Sequence, residues 1–277
     1  MSSIESYLVN GEPIDQDHVN IRLLPEECRC IHPSKALEDY MEQLWLEQLK
    51  KQPNIFNGSK FRLVDSELTS TGTLNMTWGL TSYKEYICTC SNATIASQLV
   101  RDGGMKYLSR KVGVAAALVT KDNNFVLIQR SNAVGVYANL VDVPGGHPEP
   151  EKLRLHHDIK WAASEELNAE CVSELFKSIV EEVEEEINIP RARLQSPLLL
   201  GVTLQAPGET PSYAFLIRSD VSTLEVETYY RTAKDQYEST RLLCIQLESL
   251  DSTALQLTPS ATGCLQLAKT YLLAKLE

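Results

Sequence analysis

No apolar run of about 18 residues occurs in the 277-residue sequence, and this absence excludes a transmembrane helix. The first residues, 1–17, are acidic and contain no apolar stretch, so they do not resemble a secretory or organellar leader. Proteins that grip nucleic acids usually carry a basic stripe, whereas this chain shows none and has a net charge of −11. We therefore expect a cytoplasmic protein that binds neither membranes nor nucleic acids; the sequence does not separate the cytoplasm from the nucleus.

The seven cysteines do not form a compact disulfide framework. Cys28 and Cys30 are followed by His32, but a single residue separates these two cysteines, as it does Cys88 and Cys90. Structural zinc sites favour roughly two to four intervening residues. We therefore expect reduced thiols, in agreement with a cytosolic protein.

Apolar periodicity divides the chain near residue 110. Residues 1–33 look like an irregular arm, residues 34–51 have the spacing of an amphipathic helix, and residues 60–78 that of two strands joined at a turn. The later elements are a helix at 92–101, strands at 112–120, 125–130, 140–143, 198–203, 213–217 and 242–247, and helices at 170–187 and 260–275. This order predicts a smaller α+β domain at 1–110, contributing to a substrate site, and an α/β sandwich at 111–277.

The predicted helix at 170–187 carries a dense cluster of carboxylates. Five of the six residues from Glu181 to Glu186 are glutamates. At 3.6 residues per turn, Glu182, Glu185 and Glu186 fall on one face, where their like charges repel. A divalent cation such as Mg²⁺, which prefers oxygen ligands, turns this repulsion into a binding site. The alternative for the run taken alone is a solvated acidic face.

A glycine loop precedes this helix in the run Leu140–Pro150, which contains Pro144, Gly145 and Gly146. Glycines at the end of a strand let the backbone approach a phosphate or present a carbonyl group to a metal. The order of strand, glycine loop and carboxylate helix resembles the Nudix box. The resemblance implies an α/β/α sandwich with a mixed sheet.

On this resemblance, Gly146 matches the glycine of the box, and Glu182, Glu185 and Glu186 match its three metal-binding glutamates. The sequence departs from the box in three respects. Glu181 stands where the family has arginine, which removes a cation that pairs with an earlier glutamate, and Asn188 stands where the family has glycine. Asparagine tolerates the left-handed conformation at a helix C-terminus, so this second change is mild.

The third departure is an insertion. Gly146 and Glu182 are 36 positions apart, about 21 more than in the usual box, and we interpret 147–169 as an inserted loop with room for a short helix.

With these departures, the sequence resembles an atypical branch of the Nudix hydrolases, the eukaryotic pyrophosphatases that act on UDP-glucose and UDP-galactose. The run Leu140–Pro150 is the most specific match, and residues 52–56, 60–63, 79–83 and 238–240 add to it. The resemblance implies Mg²⁺-dependent hydrolysis of a nucleotide sugar to UMP and hexose 1-phosphate, with Mn²⁺ as an alternative cofactor. It makes a solvated acidic face a poor explanation for the glutamates.

The resemblance also suggests where other functional residues lie. The catalytic residues are then Glu182, Glu185, Glu186 and Glu238, the last as a loop-borne base for which Glu209 is a weaker candidate. The metal ligands are Glu182, Glu185, Glu186 and Gly146. The candidate substrate contacts are the aromatic stackers Phe56, Phe61 and Tyr83, the cations Lys60, Arg62 and Arg130, and His147 beside the glycine loop. Each aromatic residue has a second explanation as part of the core.

Two other functions remain open at this stage. One is a Nudix hydrolase for another diphosphate, such as ADP-ribose, NADH or coenzyme A. The other is a nucleotide sensor without hydrolase activity, suggested by the missing box arginine. Retention of all three glutamates argues against the sensor.

Overall fold

The protein is described by a computed structural model at residues 2–131, 137–233, 239–250 and 253–275. Its helices there are α1 (Lys35–Lys51), α2 (Tyr83–Cys88), α3 (Ala93–Gly103), α4 (Glu165–Ile187), α5 (Thr223–Tyr230) and α6 (Pro259–Ala274). Its strands there are β1 (Ser3–Ser6), β2 (Val19–Leu23), β3 (Ser59–Leu68), β4 (Leu74–Ser82), β5 (Gly113–Val119), β6 (Asn124–Arg130), β7 (Val141–Asp142), β8 (Gly145–Gly146), β9 (Leu198–Gln205), β10 (Thr210–Arg218) and β11 (Ser239–Gln246).

The larger sheet has β5 near its centre, in the order β1-β9-β10-β5-β6-β11, with β7 paired to β6 and β8 to β5. β5 and β10 run parallel, and the other pairs of this sheet are antiparallel. The even residues from Val114 to Leu118 pack in one core with α4, and the odd residues from Ala115 to Val119 pack in another with α6. A strand alternates its side chains between two faces, so a strand that is apolar throughout belongs between two helical layers. The predicted α/β sandwich with a mixed sheet is confirmed.

The smaller sheet consists of β2, β4 and β3, with β2 parallel and β3 antiparallel to β4. Val19, Ile21 and Leu23 of β2 are buried, and the two residues between them are exposed. The smaller sheet shares a core with α4, and the N–H of Leu23 donates to the side-chain oxygen of Asn168 on that helix, at 2.9 Å. The smaller sheet is thus fixed to the helix that carries the glutamates.

The prediction of an irregular arm at residues 1–33 is wrong. β2 lies in the smaller sheet, and β1 pairs with β9 at the edge of the larger one. Short strands of this kind form through pairing with distant residues, which local periodicity does not report. The N-terminal segment therefore contributes to both sheets, and the division of the chain at residue 110 stays a prediction.

The helix α4 begins earlier than the periodicity predicts. Its N-cap is Ser164, whose hydroxyl accepts a hydrogen bond from the N–H of Leu167, so the helix starts at Glu165 rather than near residue 170. The inserted segment before it contains a short 3-10 helix at Pro150–Leu153. No helix in the described parts of the chain is both long enough and apolar enough to cross a bilayer.

The close packing of β1 on β9 leads to a first prediction, because a Cβ at Gly201 would lie 2.1 Å from the carbonyl oxygen of Glu5. We expect Gly201→Ala to push the two strands apart and to lower the free energy of unfolding by about 1–3 kcal/mol. Urea unfolding measures the change, with Ser196→Ala, at an exposed position just before β9, as the control. Equal midpoints for the two variants would show that β1 does not press on Gly201.

Candidate active site

The glycine loop lies directly against α4. The N–H of Gly145 donates to Oε2 of Glu186 at 2.9 Å, and the N–H of His147 donates to Oε1 of Glu182 at 3.3 Å. The two glutamates are four residues apart and so face the same side of the helix. The strand–loop–helix order seen in the sequence therefore becomes a contact between the loop backbone and two of the predicted metal ligands.

Gly146 cannot be replaced by another residue without moving this contact. A Cβ at Gly146 would lie 1.8 Å from Oε1 of Glu182, and a Cβ at Gly145 would lie 2.4 Å from the carbonyl oxygen of Val114. The loop is therefore held between β5 and α4 at a distance that only glycine allows. The predicted role of Gly146 as a metal ligand stays a prediction, and its place beside Glu182 is compatible with it.

The three glutamates differ in their surroundings. Glu186 is buried, Glu182 is half-buried and Glu185 is exposed. Their oxygens do not form a tight group: among the described residues, the one set of three or more candidate ligands with atoms within 4.8 Å of one another is His156, His157 and Asp158. The carboxylates of Glu182 and Glu186 are held by the glycine loop, whereas Glu185 is exposed. The role of the three glutamates as metal ligands stays a prediction.

The end of α4 agrees with the expectation for Asn188. This residue is the C-cap, and its φ of 66° and ψ of 23° place it in the left-handed region. Its side-chain amide donates to the carbonyl oxygen of Tyr229 and to the hydroxyl of Thr232, at 3.2 and 2.9 Å. Asparagine thus replaces the glycine of the box without disturbing the end of the helix.

A polar cavity of about 110 Å³ adjoins the glycine loop. Its walls are formed by the loop, by the start of β5 and β10, and by the residues at the N-terminus of α6. The lining residues are Tyr86, Lys111, Gly113, Val114, Ala115, Arg130, Tyr137, Asp142, Val143, Gly145, Gly146, His147, Gln205, Thr210, Pro211, Ser212, Thr258 and Ser260. Sites that bury a whole ligand measure roughly 300–1,000 Å³, so this cavity has room for one part of a nucleotide sugar.

Two nitrogen groups meet at one wall of the cavity. The amine of Lys111 contacts Nε2 of His147 and lies over the ring of Tyr86, 4.3 Å from its centroid. Burial lowers the pKa of Lys111 to about 7, and the charges of Lys60 and Arg130 act in the same direction. Burial, followed by the charge of Lys111, also holds the pKa of His147 well below its usual value. The imidazole is therefore neutral at neutral pH.

Arg130 and Asp142 form an ion pair at another wall of the cavity, with 3.1 Å between Nη1 and Oδ2. The second oxygen of Asp142 accepts a hydrogen bond of 2.7 Å from the hydroxyl of Thr258, the N-cap of α6. Burial raises the pKa of Asp142, against the opposing effect of the Arg130 charge. The Nε of Arg130 is buried and has no hydrogen-bond partner among the described residues. The Arg130 side chain is 21% exposed and lines the cavity, so its guanidinium can face a ligand there.

The structure brings some of the predicted substrate contacts to this site. Arg130 and His147 line the cavity, and Lys60 is close enough to influence both Lys111 and His147 through its charge. Tyr83 lies just outside it, with its ring centroid 6.2 Å from that of Tyr86. The contribution of the N-terminal part of the chain to a substrate site stays a prediction.

Other predicted contacts lie elsewhere. Phe61 is fully buried against Trp78, and Phe56 is 79% exposed. The guanidinium of Arg62 is buried and donates to three backbone carbonyls, those of Glu27, Met105 and Leu108. Their roles as substrate contacts stay predictions that these surroundings do not favour.

Of the two candidate bases, Glu238 lies outside the described residues. The weaker candidate, Glu209, is exposed on the loop between β9 and β10, and its carbonyl oxygen accepts a hydrogen bond from Arg110. Both residues therefore stay predictions as the catalytic base.

The sequence analysis did not select Lys111, Asp142 or Tyr86. A signal for Asp142 was present, since it is the one charged residue between Leu140 and His147. Lys111 stands directly before an apolar strand, where a charge needs a special environment. Tyr86 lies on α2, a short helix that periodicity does not reveal, so its place at the cavity depends on the tertiary fold.

Comparison with known proteins identifies relatives of this chain. The uridine diphosphate glucose pyrophosphatase NUDT22 of Bos taurus is 36% identical over 243 residues, which are 80% of this chain and 81% of that protein. The protein of the same name from Homo sapiens is 31% identical over 276 residues, 92% and 88% of the two chains. Nudix hydrolase 9 of Arabidopsis thaliana is 30% identical over 243 residues, 83% and 77%.

No protein-family model matches the chain. Among solved structures, a MutT protein from Methanosarcina mazei aligns with a TM-score of 0.38 and 17% identity, over 60% of this chain and 95% of that one.

The surroundings of Arg62 lead to a second prediction. Because its guanidinium connects three backbone segments, we expect Arg62→Met to lower the free energy of unfolding by about 3 kcal/mol. Denaturant unfolding measures this loss, with Arg101→Met, on the exposed side of α3, as the matched control. A normal stability combined with weaker substrate binding would instead restore Arg62 to the list of substrate contacts.

Proposed function

Because the chain belongs to the Nudix hydrolase family that includes the uridine diphosphate glucose pyrophosphatases, we propose that it hydrolyses the pyrophosphate bond of UDP-sugars. The substrates are UDP-glucose and UDP-galactose, and the products are UMP and hexose 1-phosphate. The observation that carries this proposal is the contact of the glycine loop with Glu182 and Glu186, next to a cavity lined by Lys111 and Arg130. Hydrolysis of a diphosphate needs both parts, carboxylates for a divalent metal and cations for phosphate oxygens.

The donor set fits a divalent metal ion. The carboxylates of Glu182 and Glu186, one turn apart, both accept hydrogen bonds from the loop, and a Cβ at Gly146 would overlap the carboxylate of Glu182. Glu182, Glu186 and Glu185, together with the carbonyl oxygen of Gly146, would hold the ion, and a hard cation such as Mg²⁺ prefers such oxygen ligands, with Mn²⁺ as the alternative. When bound, the ion supplies positive charge against the two phosphate groups. Glu182 and Glu186 are pre-positioned for this role by the N–H groups of the loop.

The residues of the cavity act on the substrate directly. Lys111 and Arg130 provide donors for phosphate oxygens, and Lys60 adds positive potential near them. His147, neutral at neutral pH, offers a hydrogen bond without adding charge. The volume of the cavity suits one phosphate group with part of its substituent, so the remainder of the UDP-sugar lies outside, on the side of Tyr83. Glu238 stays the candidate for the base that takes the proton of the attacking water.

The central experiment is a third prediction, release of UMP from UDP-glucose in the presence of Mg²⁺. We expect Glu186→Gln to lower kcat at least about 100-fold, because it removes one negative charge of the metal site and leaves the shape unchanged. The control Glu170→Gln changes an exposed glutamate of the same helix and keeps wild-type activity. Chelation of the metal should abolish the reaction in all variants.

The same assay with ADP-ribose, NADH and coenzyme A tests the alternative substrates. Turnover of any of these without turnover of UDP-glucose contradicts the proposal. Binding of UDP-glucose without release of UMP, under saturating Mg²⁺, contradicts it as well and favours a sensor.

A fourth prediction concerns the phosphate contact. Lys111→Met keeps the length of the side chain but removes the amine, so we expect KM for UDP-glucose to rise about 10- to 100-fold. The unfolding midpoint should stay the same or increase, because a buried cationic group is lost. Lys121→Met, at an exposed position, is the control. An unchanged KM in the Lys111 variant would remove this residue from the substrate site.

A further inference from the structure

A lysine from the inserted segment reaches the acidic helix. Lys152 lies on the 3-10 helix Pro150–Leu153, and its Nζ is 2.7 Å from a carboxylate oxygen of Glu181 on α4. The same nitrogen is 3.4 Å from Glu149 and 3.9 Å from Glu174. One cation thus lies among three carboxylates, two from the helix and one from the chain that leaves the glycine loop.

Of the three carboxylates, Glu174 is the most buried, with a side chain only 3% exposed. Its charged state therefore depends most on the nearby cation. Its Oε1 accepts a hydrogen bond of 3.0 Å from the N–H of Glu149. Burial raises the pKa of Glu174, whereas this N–H, the charge of Lys152 and, to a smaller extent, the charge of Lys177 lower it. A nearby cation therefore helps a buried carboxylate to stay charged and to accept the backbone hydrogen bond.

This hydrogen bond is the third of a series between the loop and the helix. The N–H groups of Gly145, His147 and Glu149 alternate along the loop, and each donates to a carboxylate of α4. The acceptors follow in the reverse order along α4: Glu186 and Glu182 are one turn apart, and Glu174 lies eight residues before Glu182. The first two bonds involve the proposed metal ligands. The third, next to Lys152, fixes the end of the series.

We propose that Lys152 is a positioning residue for the hydrolysis: by bridging Glu149 to Glu174 and Glu181, it keeps the glycine loop in register with the metal-binding glutamates. This inference rests on the proposed function for its effect on catalysis. Lys152 touches neither the cavity nor the proposed metal ligands in the described structure. It acts through the placement of the loop backbone.

The ion pair between Lys152 and Glu181 is partly exposed, so it contributes little to global stability. The side chain of Lys152 is 37% exposed and that of Glu181 is 25% exposed, so the solvent screens their attraction. Although partial burial opposes it, the hydrogen bond to Glu181 and the charges of Glu174 and Glu149 raise the pKa of Lys152, which keeps the amine charged. We expect little effect of this lysine on global unfolding and a larger effect on geometry at the site.

A fifth prediction tests the role with the full chain, Mg²⁺ and UDP-glucose. We expect Lys152→Met to lower kcat about tenfold with little change in KM, because small displacements of a reacting geometry reduce the rate strongly. Its thermal midpoint should change by less than about 3 °C. Lys152→Arg should restore most of the rate, and so should Glu181→Lys in the Lys152→Met background, since it returns a cation to the same cluster.

Lys177→Met is the matched control. Lys177 also pairs with Glu181, at 3.2 Å, but is one turn away on the helix itself and is 47% exposed. We expect this variant to keep the wild-type kcat. Equal losses in the two methionine variants would indicate a general effect of surface charge and would overturn the proposal, as would an unchanged kcat in Lys152→Met.

Hydrogen exchange provides a readout that does not need catalysis. In Lys152→Met, the amide protons of Glu149 and His147 should exchange faster, whereas those of β5 should keep their protection. If the wild-type protein releases no UMP, the proposed function fails, but this exchange pattern still decides whether Lys152 holds the loop. Unchanged exchange at both amides would contradict the positioning role.

Discussion

The site depends on hydrogen bonds between the backbone of the glycine loop and carboxylates of α4. Carboxylates at successive turns of a helix repel one another, and N–H groups of the loop offset this repulsion for Glu182 and Glu186. The contact requires glycine, because a Cβ at Gly146 would overlap Glu182. It also requires that α4 and β5 be fixed relative to each other, and the apolar core between them does this. The geometry of the proposed metal site is thus a consequence of how the helix packs on the sheet.

Charges of opposite sign are separated across the same loop. The carboxylates contact the backbone of the loop from α4, and Lys111 and Arg130 line the cavity that the loop residues also line. A diphosphate with a divalent ion has the complementary arrangement, with anionic oxygens next to the cations of the protein and the ion next to its carboxylates. This explains how a chain with a net charge of −11 can bind an anionic substrate. The charges around the cavity affect binding of the anionic substrate more than the net charge of the chain does.

Much of the architecture could be predicted from periodicity, because the apolar residues of β5 and of one side of α4 follow the spacing of a buried strand and a buried helix face. The Leu140–Pro150 run and the spacing of Glu182 and Glu186 also selected the loop and the two carboxylates that the fold brings into contact. The substrate contacts were harder to predict, since Phe61 and Arg62 have the residue types of a binding site but are buried in the fold. An aromatic ring can pack in a core or against a ligand, and a guanidinium can donate to a backbone carbonyl or to a ligand. The residues that surround the side chain in the fold determine which role it has.

The sequence by itself determined the α/β class, the glycine loop and the acidic face of α4, because these features are properties of neighbouring residues. Only the tertiary structure decided that Lys111 meets both His147 and Tyr86, and that Lys152 reaches Glu181 from the inserted segment. The loss of the arginine at position 181 looked like a missing cation in the sequence. In the fold, a lysine 29 positions earlier lies beside that carboxylate. Electrostatic interactions act through space, so a charge that is absent from a motif can be supplied by a residue far from it along the chain.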